Sequence, residues 1–288
     1  MRHAIISIFS LCFMAFPAAA ATPAVVPCPQ APAGLACIPG GEFVRGRDDG
    51  PANEKPRAQV WMQTYFMDVF EVTFADYQTC ARSKKCKPAR PLYSDFNRAK
   101  QPMVGMTWFD AVDYCKAQGK HLPTEAEWEK AARGPDGKLH PWGPEPATCE
   151  RAVIQDKRGR SCGIPKEGKA RLAHVGRTNL IGTHAAYEYG LHDMVGNAWE
   201  WVADWYSPDY AACGADCLGS DPKGPCGGAA KCAGHKEKLV RGGSWYWDTN
   251  YATSTYRRPH PPENIPYSHF GFRCAASLDE VAKMGGKP

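Results

Sequence analysis

The chain has 288 residues, of which 43% are hydrophobic and 23% are charged, and it contains 28 glycines and 25 prolines. This composition excludes a disordered or collagen-like chain and predicts a folded protein with many turns. The 35 basic and 30 acidic residues give a net charge of +5 without any long Lys/Arg block. The sequence therefore offers no electrostatic footprint for a nucleic acid partner.

The first twenty residues predict a secretory signal peptide. Arg2 and His3 precede an apolar run at 4–16, and three alanines at 18–20 follow it. A charged start, a short apolar run and small residues are the order in which a cleaved signal is built. The run is shorter than a membrane-spanning helix requires, and no later segment is as apolar. We therefore expect an exported protein, periplasmic or secreted, with no transmembrane segment after signal removal.

The expected export determines how the cysteines are interpreted, because an oxidising compartment favours disulfides. Loss of residues 1–20 would remove Cys12 and leave twelve of the thirteen cysteines, an even number that favours disulfides in an oxidising compartment. Three closely spaced pairs could each close a short loop: Cys28 with Cys37, Cys80 with Cys86, and Cys149 with Cys162. The cysteines between Cys213 and His235 fit either a zinc site or two local disulfides, and export favours the disulfides.

The order of composition along the chain predicts one folded domain. Residues 21–36 are rich in alanine and proline and predict an extended linker. A folded domain is expected over 37–277, and residues 278–288 are expected to form a loose tail. Between 43 and 72, short apolar bursts alternate with Gly/Pro/Asp clusters, which is typical of strands and turns.

Three helices are predicted from their starts, each a threonine followed three residues later by a carboxylate. The pairs are Thr73 with Asp76, Thr107 with Asp110, and Thr124 with Glu127. The hydroxyl can accept from a free backbone N–H, and the carboxylate lies near the positive end of the helix dipole. In the second helix the apolar spacing directs Cys115 to the core, and glycines at 119 and 134 are expected to end the second and third helices.

The C-terminal half predicts strands and few catalytic features. Trp199 and Trp201 would share one face of a strand, with Trp205 close behind, and further strands are expected at 239–247 and 270–276. The chain has no Gly-x-Ser-x-Gly elbow, phosphate loop or dinucleotide fingerprint. Its scattered histidines are interpreted as surface or core residues, not as ligands.

Seven motifs, in order, carry a resemblance to a known family. They are FVRG (43–46), EVT (71–73), PMVGMTW (102–108), GKHLPTEAEWE (119–129), VGNAWEW (195–201), RGGSW (241–245) and GFRC (271–274). Together they resemble the formylglycine-generating enzyme, or sulfatase-modifying factor, domain over roughly residues 37 to 277. The resemblance implies a single α+β domain of the C-type-lectin-like kind, irregular and low in regular secondary structure, with a disulfide between Cys115 and Cys274.

The resemblance also implies a chemistry that this sequence does not carry. Members of that family oxidise a sulfatase cysteine to formylglycine with molecular oxygen and a copper ion held by two cysteines. The matching positions here are Trp247 and Ala252. Neither side chain supplies the thiolate that copper(I) prefers, so we expect neither bound copper nor this reaction. Formation of formylglycine with substitute ligands from the cysteines at 213–232 would need those cysteines reduced.

A calcium site is the metal site that the resemblance does favour. From the residues alone, 193–200 is better explained by a solvated turn followed by an amphipathic strand than by an oxygen-rich cation site. The resemblance implies calcium bound by Asp193, by the carbonyls of Gly196 and Ala198, and by Glu200. Asp193 stands where the family has a neutral amide, so the site would carry one more negative charge.

Two functions remain open at this stage. The first is a binding or accessory module that takes an exported protein, a peptide or a glycan. Its candidate ligand-binding residues are Ser244, Trp245, Trp247, Tyr251, Arg257 and Trp199. Aromatic faces beside arginines suit such ligands, although the rings could also simply fill the space of a lost metal site. The alternative is an oxidoreductase of the same family that acts on a protein or peptide substrate through a different site.

Overall fold

The computed structural model describes residues 24–163, 176–263 and 267–285. The predicted signal peptide lies outside the described residues. Within these ranges the strands are β1 (Leu35–Ile38), β2 (Gly41–Arg45), β3 (Ala58–Met62), β4 (Tyr65–Asp68), β5 (Trp199–Trp205), β6 (Lys238–Arg241), β7 (Arg258–His260), β8 (Phe270–Gly271) and β9 (Ala275–Ser277). The α-helices are α1 (Phe74–Arg82), α2 (Trp108–Ala117), α3 (Glu125–Arg133), α4 (Tyr210–Cys213), α5 (Ala215–Leu218) and α6 (Leu278–Lys283).

The strands form three small sheets. The four-stranded sheet has the order β7-β6-β5-β8, the three-stranded sheet has the order β1-β4-β9, and β2 pairs with β3. Only β5 and β8 pair in parallel; the other pairs are antiparallel. This is the irregular α+β architecture that the sequence predicts, with long loops between short elements.

The three predicted helix starts are confirmed. Thr73, Thr107 and Thr124 each accept from the backbone three residues on, and the acidic residue there returns a bond to the threonine backbone. Loss of one such cap costs about 1 kcal/mol. Gly134 ends α3 with a φ of +67°, the left-handed conformation that glycine adopts without a steric penalty.

The strand predicted at 239–247 is wrong in its second half. The strand β6 ends at Arg241 because Gly242 and Gly243 have φ values of +92° and +83°. A Cβ on Gly243 would lie 3.0 Å from both the Tyr251 carbonyl oxygen and the Ala252 Cα. The chain therefore turns sharply, and residues 244–247 form a loop at the end of the main sheet.

Two other boundaries differ from the predictions. The segment expected as one strand at 270–276 is two strands, β8 and β9, which belong to different sheets. The expected loose tail instead begins with α6, since Ser277 caps this helix together with Glu280. At the other end, β1 begins at Leu35, inside the predicted linker, and a Cys28–Cys37 disulfide ties the preceding segment to this strand.

The largest core cluster lies between α2 and the main sheet. It includes Trp199 and Trp201, both with no exposed surface, and the buried ring of Phe272. The Cys115–Cys274 disulfide, with a sequence separation of 159, crosses this cluster. Closing so long a loop stabilises the fold by about 5 kcal/mol in the chain-entropy treatment.

The remaining cysteines of the described residues form local bridges. The structure contains the three short pairs named above and two further disulfides, Cys213–Cys217 and Cys226–Cys232. These last two remove the thiolates that a zinc site would need. Among the described ranges, every helix falls short of the length and apolarity needed to cross a bilayer.

Candidate functional site: an aromatic pocket at the end of the main sheet

A pocket of about 340 Å³ lies between the loop that follows Gly243 and the loop that leads into β8. Its aromatic walls are Tyr93, Trp245, Tyr246, Trp247, Tyr267 and Phe270. The volume is at the lower end of the range for small-molecule sites. The pocket therefore suits a single small ligand, or one side chain of a larger one.

Hydrogen bonds and ring contacts hold the two loops in place. The Trp247 backbone N–H donates to the Ser244 carbonyl at 3.1 Å, which closes the first loop into a tight turn. The Trp245 indole N–H donates to the Ser268 carbonyl at 3.1 Å and joins the two loops. The Tyr246 ring lies 5.6 Å from the His269 ring, in a tilted contact. The walls of the pocket are thus preformed by packing, not assembled by a ligand.

Of the two positions that the resemblance matches to copper ligands, only Trp247 lines this pocket. Trp247 is part of the wall and packs on Tyr251 at 4.8 Å between ring centroids, whereas Ala252 is fully buried behind Gly243. Every cysteine among the described residues belongs to a disulfide. The donor set present here therefore does not fit a thiolate-bound copper ion.

Several buried polar atoms at the pocket lack a partner. The Trp247 Nε1, the Arg258 Nε and the Ser268 Oγ atoms form no hydrogen bond with any described residue, and neither does the Trp199 Nε1 behind the wall. Ser268 is only 7% exposed. An unsatisfied buried polar group costs about 1–3 kcal/mol, so such groups normally meet a ligand or an ordered water.

The pocket is positively charged. The Arg258 guanidinium lies 4.8 Å from the centroid of the Trp247 ring, and that of Arg160 lies 3.5 Å from the centroid of Tyr246. Burial, together with the positive charge of Arg258, lowers the pKa of His269 to about 3, so this imidazole is neutral near pH 7. Among the described lining residues there is no carboxylate.

Arg257, which the sequence predicts as a ligand-binding residue, does not line the pocket. Arg257 is 1% exposed and points the other way, into the protein, where its Nε donates to Glu125 at 2.6 Å. Burial opposes ionisation of Glu125, but Arg257 and two further arginines outweigh it and lower the pKa of this carboxyl to about 2. Successive side chains alternate in direction along an extended segment, so the neighbouring Arg258 faces the pocket instead.

The other predicted ligand residues divide into two groups. Trp245 and Trp247 line the pocket. Tyr251 and Trp199 lie behind it, connected through Tyr256 at centroid distances of 5.1 and 5.7 Å. Ser244 is fully buried and accepts a bond of 3.4 Å from the backbone N–H of Tyr246.

Sequence reasoning missed Tyr93, Tyr267 and His269, which reach the pocket from distant segments. The tyrosines lie outside the seven motifs, and His269 was interpreted as an isolated histidine. Its position two residues before the GFRC motif is the one signal that could have drawn attention to it.

The predicted calcium residues lie apart from this pocket and fit the ion only in part. Both oxygens of Glu200 accept from Arg273, at 2.7 and 2.8 Å, so this carboxylate is already paired. Asp193, in a left-handed conformation with φ of +56°, accepts from the Gly182 backbone N–H at 2.7 Å. Burial, then repulsion from Asp193 and Glu200, raises the pKa of nearby Glu71 well above its ordinary value.

This cluster brings three buried carboxyl groups, those of Glu71, Asp193 and Glu200, close to Arg273, and their mutual repulsion favours a proton or a cation. Hard oxygen donors of this kind suit calcium. Among the described residues, however, no three His, Cys, Asp or Glu side chains are arranged to hold a metal ion. The charge favours a cation, whereas the pairing of Glu200 with Arg273 removes one expected ligand.

Comparison with known proteins places this geometry in a family. Residues 22–278 match the family model of the sulfatase-modifying factor enzyme 1-like domain. The chain is 38% identical over 199 residues to the formylglycine-generating enzyme of Thermomonospora curvata, which covers 66% of this chain and 60% of that protein. It is 32% identical over 263 residues to the serine/threonine-protein kinase pkn1 of Chlamydia pneumoniae, covering 85% of this chain but only 38% of that protein.

Among solved structures, PvdO from Pseudomonas aeruginosa has a similar fold. The TM-score is 0.64 at 22% sequence identity, and the match covers 85% of this chain and 94% of that chain. At this identity the likeness concerns the fold alone. The family match covers most of the chain and agrees with the seven motifs, the irregular α+β architecture and the disulfides. This chain belongs to the sulfatase-modifying factor enzyme 1-like family, the family of the formylglycine-generating enzymes.

Proposed function

We propose that this protein is an exported binding or accessory module of its family, a pseudoenzyme that does not oxidise cysteine through a copper–dithiolate site. The observation that supports the proposal is which residues occupy the two positions that the resemblance matches to copper ligands. Trp247 forms a wall of the aromatic pocket, Ala252 is packed in the interior, and every described cysteine is bridged. The scaffold keeps a preformed concave site but lacks the soft donors for that metal.

The pocket supports binding of a peptide or glycan from an exported partner. Large aromatic side chains in a concave, preformed site supply most of the affinity in many complexes. The unpaired donors of Trp247 and Arg258 supply directional contacts that a ligand would complete. If the rings only filled space, the donors of Trp247 and Arg258 would stay unpaired, whereas a bound ligand would satisfy them.

Export is supported by the disulfides as well as by the predicted signal. Six bridges in one chain are typical of an oxidising compartment, since cytosolic thiols are kept reduced. Fractionation of the native host, followed by mass determination of the mature chain, tests this part. We expect the protein in the periplasm or medium, cleaved near residue 20, with no cysteine available to alkylation. Cytosolic protein with reactive thiols would overturn it.

Calcium is proposed as a stabilising ligand near Asp193, not as a participant in chemistry. The support is the mutual repulsion of the buried carboxyl groups around Arg273, which a bound cation would relieve. Thermal unfolding in calcium and in chelator tests it: calcium should raise the midpoint, and Asp193→Asn should reduce that increase. Asp49→Asn, at an exposed position, is the matched control. Identical midpoints in calcium and chelator would show that the Arg273 pairing suffices.

The central test compares metal content and turnover. Purified protein is loaded with copper(I), dialysed and analysed for metal, and then incubated under oxygen with a Cys-x-Pro-x-Arg peptide. We expect substoichiometric copper and no mass loss from the peptide. The alternative, an oxidoreductase that uses a different site, predicts oxidised peptide without bound copper and no loss of activity in Trp247→Ala.

A further inference from the structure

The charge and hydrogen-bonding character of the aromatic pocket define its ligand further. We propose that the pocket binds an aromatic ring with a carboxylate close to it, the chemistry shared by a peptide's C-terminal aromatic residue and a free aryl carboxylate. This inference rests on the proposed binding function and specifies which class of ligand that function serves. Four observations carry it.

The first observation is a guanidinium without an ionic partner. Among the described residues no carboxylate lies within ion-pair distance of Arg258, and its nearest neighbours are aromatic rings. The ring faces of Trp247 and Trp199 contact the guanidinium at centroid distances of 4.8 and 5.7 Å. Stacking on a ring face leaves the in-plane N–H groups free to donate. A carboxylate is the group that accepts two such bonds side by side.

The second observation is that the unpaired polar groups of the pocket can all donate. The Arg258 Nε and the Trp247 Nε1 can only donate, and the Ser268 hydroxyl has a proton to offer. A carboxylate is a pure acceptor and satisfies such groups, whereas an ammonium ligand would leave them unpaired. A sugar ring presents hydroxyl donors as well as acceptors, so it matches this set less well.

The third observation is a second positive charge, that of Arg160, which forms no ion pair with a described residue. The Arg160 guanidinium covers the ring of Tyr246, a wall residue, at 3.5 Å from the ring centroid. Burial and these arginines keep His269 neutral, as its lowered pKa indicates, so the imidazole adds no competing charge. The local field therefore favours an anion and disfavours a cation.

The fourth observation is the shape of the apolar part. Tyr93, Tyr246, Trp247 and Tyr267 stand around a volume of about 340 Å³. Neighbouring rings in this wall meet in tilted or edge-on contacts, at 5.4 Å for Tyr246 with Trp247. A ligand ring can add to such an array by the same offset or edge contacts. The volume suits one ring with a short acidic substituent.

The test compares an acid with its amide on the full mature protein. The probes are the peptide Gly-Gly-Phe with a free C-terminus, the same peptide amidated, and 3-phenylpropionate, with binding followed by calorimetry. We expect the free acid to bind at least roughly tenfold more tightly than the amide, because the amide loses the ion pair with Arg258. If 3-phenylpropionate binds as well as the peptide acid, the ligand is a free aryl carboxylate. If only the peptide acid binds, it is a peptide C-terminus.

Two variants connect the preference to Arg258. Arg258→Gln should bring the acid and the amide to similar affinity, whereas Arg90→Gln, at an exposed arginine, should leave the preference intact. Arg258→Lys keeps the charge but loses the bidentate geometry and should give an intermediate preference. Circular dichroism of each variant establishes that it is folded.

Three results would overturn the inference, and they differ in what they mean for the proposed function. Equal binding of acid and amide, abolished by Trp247→Ala, would leave the pocket a binding site and remove the preference for an anion. Tighter binding of a neutral oligosaccharide at the same site would also leave the pocket a binding site and remove the preference for an anion. Failure of every peptide, carboxylate and oligosaccharide to bind the folded protein would overturn both.

Discussion

Arg257 and Arg258 are neighbours in sequence, yet they belong to two regions with opposite electrostatics. Arg257 lies in a buried ion-pair cluster, which we define as Arg45, Arg241, Arg257, Glu125 and Glu129. There Glu125 pairs with all three arginines at 2.6–3.0 Å. Arg258 lies at the aromatic pocket, stacked on Trp247 without a described acidic partner.

The difference separates structural from functional arginines. In the ion-pair cluster the protein itself supplies the counter-charge, so the cluster is complete before any ligand arrives. At the aromatic pocket the ring of Trp247 lies against the guanidinium of Arg258, and the Arg258 Nε has no partner among the described residues. A partly buried charge that the fold does not neutralise can still pair with a ligand, which is why Arg258, and not Arg257, indicates a site.

The largest expected effect comes from a substitution that breaks the ion-pair cluster. Glu125→Gln leaves three buried guanidiniums without their shared carboxylate and should lower the free energy of unfolding by about 3–5 kcal/mol. Urea unfolding measures the change. Glu42→Gln, at an exposed position on β2, is the control and should change stability by less than about 0.5 kcal/mol. An equal, small effect of both substitutions would contradict the assignment of this cluster.

Next in size is the contrast between the two neighbouring arginines. Arg257→Met should destabilise by about 3 kcal/mol, because it removes one partner of a buried pair. Arg258→Met should change stability by less than about 1 kcal/mol, or raise it, because an apolar side chain replaces a partly buried guanidinium that has no described ionic partner. Urea unfolding of both variants tests the contrast. A reversed order would show that Arg258 is the structural residue.

Two histidines extend the comparison to pH. His269 has a lowered pKa of about 3, so between about pH 6.5 and 3 the unfolded chain binds the proton more readily and stability falls as pH falls. His121 lies between Glu127 and Glu280; burial opposes its charge, but the two carboxylates raise its pKa to about 10. Its contribution is complete below about pH 6.5 and is lost as pH rises towards 10.

Unfolding measured across this pH range separates the two histidines. His269→Gln should flatten the acid side of the stability profile, since the group that resists protonation is gone. His121→Gln should lower stability near neutral pH and flatten the alkaline side. If His269→Gln left the acid side unchanged, His269 would not be a buried neutral group at the pocket.

The smallest expected effect concerns an unpaired hydroxyl. Ser268→Ala removes an Oγ that bonds to no described residue, so stability should stay constant or rise by up to about 1 kcal/mol. Thr124→Ala removes a hydroxyl that caps α3 and should cost about 1 kcal/mol. Thermal unfolding of the Ser268→Ala and Thr124→Ala variants measures both changes in stability. Equal losses would indicate that Ser268 has a partner within the fold.

Local chemistry explains which parts of this fold were predictable. The caps at Thr73, Thr107 and Thr124 follow from contacts three residues apart, and short disulfides follow from close spacing. The seven motifs indicated the family, and their alignment with it placed Trp247 at one of the family's copper positions. These signals all lie within single segments or within a recognised order of segments.

The pocket itself depended on long-range geometry. Tyr93, Trp247 and Tyr267 meet because Gly242 and Gly243 turn the chain away from β6, which hydrophobic patterning had extended as a strand. The choice between Arg257 and Arg258 depends on which face of an extended segment points inward, and sequence alone left both arginines beside the rings. The pairing of Glu200 with Arg273 was hidden for the same reason, since 73 positions separate them.

The proposed function depends most on Trp247 and Ala252, the two positions where the resemblance implies copper ligands. The most direct measurement is copper(I) uptake by the mature wild-type protein, with Trp247→Cys/Ala252→Cys as a variant that restores both thiolates. We predict no stoichiometric copper in the wild type and about one ion per chain in the variant. One tightly bound copper per wild-type chain, with turnover of a thiol peptide, would contradict the account.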